Sequence, residues 1–150
     1  MTFVLDTSVH LNALNPAEAG SAESQTFLER LFFGKPWPVL SPTLLLVEVA
    51  AAVARVFHDP GRGMAMARAL RGLPGQVWVG LDEDLAQEAA RLAAEHRLRG
   101  ADGVYAAVAR RYGAVLVTLD RQQLERLPPD LPVLTPAEAL ARLEAEAVRW

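Results

Sequence analysis

Two aspartates close behind short apolar runs are the first chemical signal in this sequence. Asp6 follows Phe3–Leu5 directly, and Asp120 comes soon after Val115–Val117. Such runs are typical of buried strands, and the carboxyl ends of parallel strands carry the chemistry of α/β proteins. If the two strands are neighbours, the two carboxylates lie close together. Each also has an ordinary structural explanation, because Asp6 could close an Asx-turn and Asp120 with Gln123 resembles a capping box.

Glu48 stands out because its helical neighbours are almost all apolar. The residues one turn away on either side are Leu44, Leu45, Ala51 and Ala52. We therefore expect this helix to be buried nearly all round. An unpaired buried carboxylate costs several kcal/mol or takes up a proton, so something must compensate its charge. A buried ion pair with an arginine is one solution, and a bound metal ion is the other.

Asp102 follows Gly100 at the start of a predicted helix, where it is either an N-cap or a fourth acid facing the same sheet edge. The three histidines lack the spacing of metal ligands: we expect His96 to be a cation at a helix C-terminus, and His10 and His58 to lie on the surface. The chain has no cysteine, which excludes thiolate zinc sites and disulfides.

Oxygen ligands without histidine or cysteine favour Mg²⁺ or Mn²⁺ over zinc. Four clustered carboxylates would also repel one another without a cation. Such an acidic pocket suits phosphodiester chemistry, in which the ion activates water and stabilises the leaving oxygen.

The elements that must position these acids alternate between short strands and longer helices. Five strands are predicted near residues 3–5, 39–40, 77–79, 115–117 and 133–134. Helices are predicted over residues 22–33, 42–57, 65–70, 82–98, 102–112 and 122–127, and from 136 onward. In this pattern Ser41 is the N-cap and Pro42 the first residue of the second helix. The alternation predicts an α/β fold with a small central parallel sheet flanked by helices.

Length and composition agree with one globular domain over residues 1–150. Hydrophobic residues make up 51% of the chain and charged residues 22%. The formal charge of -3 argues against a general DNA-coating protein, which would be basic. The start has no basic leader region, and no apolar stretch reaches the ~18 residues that a membrane span needs. We therefore expect a cytoplasmic protein with no membrane association.

The order and spacing of the four acids resemble those of PIN domains. Residues 4–8 (Val-Leu-Asp-Thr-Ser) look like the first motif, and Glu48 behind Ser41-Pro42 looks like the second. Asp102 in Arg-Gly-Ala-Asp and Asp120 in Leu-Val-Thr-Leu-Asp look like the third and fourth. The resemblance covers essentially the whole chain, including residues 132–136. One departure is Gly103, where most members of the family have alanine.

The resemblance implies a three-layer, PIN-like fold and a metal-dependent endoribonuclease. The implied catalytic and metal-binding residues are Asp6, Glu48, Asp102 and Asp120, with Mg²⁺ or Mn²⁺ as the cofactor and Ser8 and Thr118 as hydrogen-bonding supports. Compact members of this size are usually VapC-like toxins, so the resemblance also implies RNA as the substrate, a cognate antitoxin protein and a homodimer. The apolar segments 44–57 and 22–33 could stay partly exposed for a partner, or they could simply be core.

Arg99 and Arg121 are the best candidates for contacts with RNA, because they adjoin the third and fourth motifs and arginine suits bidentate phosphate contact. The tryptophans Trp37, Trp78 and Trp150 could stack on bases, although packing is their commoner role.

Other functions fit less well. Haloacid dehalogenase-like phosphatases carry Asp-x-Asp at a strand end, whereas here Ser8 stands two residues after Asp6. Receiver domains need a lysine late in the chain, and the only lysine is Lys35. A PIN-domain nuclease that processes RNA without being a toxin, and a catalytically silent PIN-like binding module, both stay open, although all four carboxylates are present.

Overall fold

The computed structural model describes residues 1–35 and 37–149, and within them strands and helices alternate. The strands are β1 (Phe3–Leu5), β2 (Val39–Pro42), β3 (Gln76–Val79), β4 (Val115–Val117) and β5 (Val133–Leu134). The helices are α1 (Thr7–Leu14), α2 (Ser21–Phe33), α3 (Leu44–Phe57), α4 (Pro60–Arg71), α5 (Glu83–His96), α6 (Gly100–Arg111), α7 (Arg121–Arg126) and α8 (Pro136–Ala147).

The five strands form one parallel sheet in the order β3-β2-β1-β4-β5. The central strand β1 pairs with β4, so that Phe3 lies opposite Val115 and Leu5 opposite Val117. The residues that follow β1 and β4 therefore meet at the middle of the carboxyl edge of the sheet. The prediction that Asp6 and Asp120 lie close together required their strands to be neighbours, and β1 and β4 are neighbours.

Hydrophobic clusters cover both faces of the sheet. Val4 and Leu116 point into a cluster with residues of α3, α5 and α6, whereas Phe3 and Leu5 point into a cluster with residues of α2 and α8. This division follows from the alternation of side chains along a strand. Because both of their faces are covered, the inner strands β1 and β4 are apolar throughout, as is common in parallel sheets. The predicted three-layer α/β fold class is confirmed.

The predicted start of the second helix was wrong at two residues, the N-cap at Ser41 and the first helical position at Pro42. Ser41 and Pro42 belong to β2, where they pair with Trp78 and Val79, and α3 begins only at Leu44. The Ser41 hydroxyl donates to the Gln76 side chain at 2.7 Å instead of capping a helix. The pairing with β3 extends the strand past the point at which the Ser-Pro signal predicts a helix.

Helix α1 was not predicted. Its sequence, Thr-Ser-Val-His-Leu-Asn-Ala-Leu, contains several weak helix formers and spans only eight residues. The Asp6 side chain caps it by accepting from the Ser8 backbone N–H, and Val9 packs into the core. His10, expected on the surface, is 3% exposed in this helix, and burial lowers its pKa to about 4.

Helix α3 is buried on one side only, so the prediction of all-round burial was wrong. Leu45, Val49 and Val53 are buried, while Val47 and Val56 are 64% and 72% exposed. The sheet and α4 cover the face that carries Leu45, Val49 and Val53, while Val47 and Ala51 form an uncovered apolar strip on the other side. Val56 lies about 180° around the helix from Val47, so its exposure belongs to the end of α3 and not to this strip.

The departure from the family pattern at Gly103 has a packing reason. A Cβ atom at this position would lie 2.7 Å from the Ala89 carbonyl oxygen and 2.9 Å from the Ala93 Cβ. Both of those residues belong to α5, so α5 and α6 approach too closely for alanine.

Among the described residues, no helix is both long and apolar enough to cross a membrane.

Candidate active site

Asp6 stands directly after β1 and is held by hydrogen bonds from three segments of the chain. Its Oδ1 accepts from the Ser8 backbone N–H at 3.0 Å and from the Ser8 hydroxyl. Its Oδ2 accepts from the Thr118 hydroxyl at 2.5 Å and from the Gln123 amide at 2.7 Å. Burial raises the pKa of Asp6 above its usual range, whereas these hydrogen bonds act in the opposite direction.

Ser8 and Thr118 also join the ends of β1 and β4. The Ser8 hydroxyl accepts from the Leu119 N–H at 3.0 Å, and the Thr118 hydroxyl accepts from the Asp120 N–H at 2.9 Å. Asp120 caps α7 by accepting from the Gln123 N–H at 3.0 Å. Only this half of the predicted capping box is present, because the Gln123 side chain reaches Asp6 instead of the N-cap backbone.

Glu48 faces the same region from the first half of α3. Its Oε1 accepts from the Thr7 hydroxyl at 2.9 Å and from the Tyr105 hydroxyl at 2.6 Å. Among the described residues no arginine forms a salt bridge with it, so the ion-pair explanation fails. Burial and the neighbouring Glu48 carboxylate raise the pKa of Tyr105 above its usual range, so this phenol remains a protonated donor.

Asp102 lies in the first turn of α6, where Arg99 occupies the N-cap position, so the N-cap interpretation of Asp102 is wrong. Its Oδ2 is buried and accepts no hydrogen bond from the residues that the structure describes. Burial and then repulsion by Asp120 and Asp6 raise the pKa of Asp102 to about 6; Arg99 lowers it and Glu48 raises it slightly. The four carboxylates thus interact electrostatically.

A cavity of about 410 Å³ contains all four predicted acids in its wall. Arg99 lines it too, whereas Arg121 is exposed and does not belong to the lining. The complete lining is Asp6, Thr7, Ser8, Leu11, Val47, Glu48, Ala51, Ala52, Arg55, Arg99, Asp102, Tyr105 and Asp120. The wall is therefore acidic, with two arginines and an apolar border from α3.

The donor chemistry of this cavity fits a hard divalent cation. The available ligands are carboxylate oxygens, and one of them, Asp102 Oδ2, is buried with no hydrogen-bond donor in the described part of the chain. A cation would also relieve the repulsion that raises the Asp102 pKa. Across residues 1–35 and 37–149, however, no three acidic or histidine side chains are grouped closely enough to ligate one ion as they stand. The residues share a cavity but do not form a closed ligand shell.

The family comparison agrees with this arrangement. The model of the PIN domain family matches residues 3–128, from β1 to just beyond α7. The chain belongs to the PIN domain family. The resemblance inferred from the four acidic motifs is thereby confirmed. No curated protein sequence matches this PIN domain.

Solved structures share the fold of this PIN domain at low sequence identity. VapC20 of Mycobacterium tuberculosis, described as a sarcin–ricin loop cleaving toxin, is 21% identical with a TM-score of 0.66, covering 84% of this chain and 96% of that one. PAE2754 from Pyrobaculum aerophilum is 23% identical with a TM-score of 0.66, covering 97% and 90%. DNA-bound VapBC from Salmonella typhimurium is 17% identical with a TM-score of 0.65, covering 91% and 98%.

The PIN domain places four further residues at the site that the sequence analysis did not predict there. Thr7 and Tyr105 contact Glu48, Gln123 contacts Asp6, and Arg55 lines the cavity. Arg55 had a detectable signal, because it lies two helical turns after Glu48 and so on the same face.

The tryptophans have packing roles where they are described. The Trp37 ring makes an edge contact with Phe3, with 6.5 Å between centroids, and Trp78 packs against the core. The prediction for Trp150 lies outside the described residues.

Proposed function

We propose that this PIN domain, taken as one unit over residues 1–150, is a divalent-metal-dependent endoribonuclease and the toxin of a toxin–antitoxin pair. One observation carries the proposal: four carboxylates from separate elements line one cavity, where burial and mutual repulsion raise the pKa of Asp102 to about 6. Family membership supports nuclease chemistry, and the fold shared with an RNA-cleaving toxin supports RNA as the substrate.

The residues that would hold Mg²⁺ or Mn²⁺ are Asp6, Glu48, Asp102 and Asp120. When bound, such an ion supplies Lewis acidity for the attack of water on a phosphodiester and offsets the negative charge there. Ser8 and Thr118 keep Asp6 in a single orientation through their hydrogen bonds. Their role is to pre-organise a ligand whose position would otherwise vary.

Arg55 and Arg99 would bind RNA phosphates at the mouth of the cavity. Both line it, and neither forms a salt bridge within the described part of the chain. A guanidinium can donate two hydrogen bonds to one phosphate. Arg121 is the first residue of α7 and lies outside the cavity, so it would contact the RNA at a nucleotide further along the bound chain.

The uncovered apolar strip of α3 would bind the antitoxin. Next to it lies a groove of about 410 Å³ with an apolar floor and two arginines at its rim, lined by Leu46, Val47, Ala50, Met64, Ala67, Arg68 and Arg71. Several structural neighbours are toxin–antitoxin complexes, which supports a protein partner. We further propose that the protein acts in the cytoplasm as a homodimer.

The decisive experiment replaces Asp6 by asparagine, which preserves its shape and removes its charge. With Mg²⁺ or Mn²⁺ the parent protein should cleave RNA, and EDTA should stop cleavage. Asp6→Asn should lower the cleavage rate at least about 100-fold, since changes to outer-shell partners alone cost 10–100-fold.

Asp82→Asn is the matched control, because Asp82 also caps a helix but lies outside the cavity. It should retain parental activity. Cleavage that survives EDTA, or an Asp6→Asn protein as active as its parent in the same metal, would refute the proposed mechanism.

A further inference from the structure

Glu48 lines the cavity, and one oxygen of its carboxylate is held by hydrogen bonds. Oε1 accepts from the Thr7 hydroxyl at 2.9 Å and from the Tyr105 hydroxyl at 2.6 Å. Among the described residues none donates a hydrogen bond to Oε2. The Thr7 and Tyr105 hydroxyls thus form a hydroxyl pair at this oxygen.

The hydroxyl pair is built rigidly into the fold. Tyr105 is 1% exposed and belongs to the core cluster between the sheet and α6. Thr7 lies in the first turn of α1, and its hydroxyl oxygen is 2.8 Å from that of Tyr105. Three helices thus meet at Glu48 Oε1. Because a buried ring cannot swing away, these hydrogen bonds fix the orientation of the Glu48 carboxylate at the cavity wall.

We propose that the hydroxyl pair makes Glu48 a one-oxygen ligand and thereby sets the cavity's preference for Mg²⁺ and Mn²⁺ over Ca²⁺. The inference rests on the proposed function, since it concerns the same divalent-cation site. Calcium accepts six to eight oxygens and often takes both oxygens of one carboxylate, whereas Mg²⁺ requires a compact octahedron. The two donors use both lone pairs of Oε1, so a cation at Glu48 would bind through Oε2. Tyr105 acts through Glu48 and is therefore a positioning residue.

The test compares the binding of two ions rather than activity. Tyr105→Phe keeps the buried ring and removes only the hydroxyl. Mn²⁺ binding is measured by electron paramagnetic resonance titration, and Ca²⁺ binding by competition in the same samples. We expect the Mn²⁺ Kd to rise about tenfold, in line with the loss of an outer-shell partner. Because Oε1 then loses a donor and becomes more available to a cation, the Ca²⁺ Kd should fall or stay within about twofold of the parent value, so the preference for Mn²⁺ shrinks several-fold.

The ratio of the Mn²⁺ and Ca²⁺ affinities distinguishes a positioning effect on Glu48 from a general loosening of the fold. Loosening would weaken the binding of both ions alike. Thr7→Val should also reduce the preference for Mn²⁺ over Ca²⁺. Thr7→Ser keeps a hydroxyl, so it should leave this preference close to that of the parent. Tyr112→Phe is the matched control, because Tyr112 is half exposed at the other end of α6. Circular dichroism melts verify that each variant is folded.

Two results would overturn the inference in distinguishable ways. If the parent binds Mn²⁺ and both Tyr105→Phe and Thr7→Val leave the Mn²⁺ to Ca²⁺ ratio unchanged, the hydroxyl pair has no role in ion preference, while the proposed function stands. If the parent binds no Mn²⁺ at all, the proposed function fails, and this inference fails with it.

Discussion

At the residue scale, the charge balance of the cavity is uneven. Four acids face two arginines, and Arg55 lies two turns along α3 from Glu48, exposed and without an ion pair in the described part of the chain. Arginines that stay unpaired beside carboxylates keep their donors available for another anion. Only four of the 18 acidic residues are these cavity acids, but the other 14 nearly balance the 15 basic residues. A net charge of -3 is therefore compatible with an RNA substrate.

Replacing Arg55 by alanine should weaken RNA binding without changing the metal site. Loss of one phosphate contact reduces the slope of log affinity against log salt by about 1. Filter binding to RNA across a salt series measures this slope. Arg62→Ala is the control, since the Arg62 guanidinium lies over the Phe57 ring at 3.9 Å and outside the cavity. Equal slopes for Arg55→Ala and the parent would exclude a phosphate contact at this position.

His10 should make stability depend on pH. Burial lowers its pKa to about 4 in the folded protein, compared with about 6.5 in an unfolded chain. Between these values the unfolded state binds a proton that the folded state does not, so stability falls as pH falls through this window. The loss approaches about 3 kcal/mol near pH 4.

His10→Leu should remove this contribution. Urea unfolding at pH 7.5 and pH 5 should show a smaller loss of stability on acidification for the variant than for its parent. His58→Asn serves as the control, because His58 is exposed and has a positive φ of 51° that asparagine tolerates. An identical pH dependence in His10→Leu and its parent would contradict the prediction.

At the element scale, the site depends on how closely the helices pack. Asp102 lies in the first turn of α6, and its neighbour Gly103 lets α6 approach the backbone of α5. The position of Asp102 in the cavity is therefore coupled to a contact on another side of its helix. The glycine costs helix propensity, up to about 1 kcal/mol, but it permits this approach.

Gly103→Ala should destabilise the protein by about 1–3 kcal/mol, because the Ala89 carbonyl at 2.7 Å is backbone and cannot move aside cheaply. Thermal unfolding measures the effect. Gly100→Ala is the matched control in the same helix, where an added Cβ meets nothing within 4 Å. A Gly103→Ala protein more stable than its parent would show that propensity outweighs packing here.

At the scale of the whole molecule, the active cavity and the apolar strip of α3 adjoin each other. Val47 lines both the cavity and the groove against α4, and the half-exposed Met64 of α4 extends the apolar surface of that groove. Contiguous exposed apolar surface of this kind marks interaction sites. A partner bound along α3 would also cover the mouth of the cavity, which couples binding to inhibition.

Expression of the protein alone should arrest growth, and co-expression of the cognate antitoxin should restore it. Met64→Asp, in the groove beside α3 and outside the cavity, should weaken this rescue by lowering antitoxin affinity roughly tenfold or more, with RNA cleavage unchanged. Val148→Asp is the control, since Val148 is exposed beyond the end of α8 and away from α3. RNA cleavage without growth arrest would favour a PIN-domain nuclease that processes RNA, and no cleavage at all would favour a silent binding module.

The sequence by itself determined the strands, their parallel arrangement and the four acids that reach the carboxyl edge. These features depend on short apolar runs and on the residue that ends each run, which are local properties. The tertiary structure alone decided that Ser41 extends a strand, that His10 is buried and that Gln123 turns to Asp6. Tyr105 and Thr7 meet Glu48 although 98 residues separate them from each other. Such contacts leave no periodic pattern in the sequence, because the packing of whole helices on the sheet brings the side chains together.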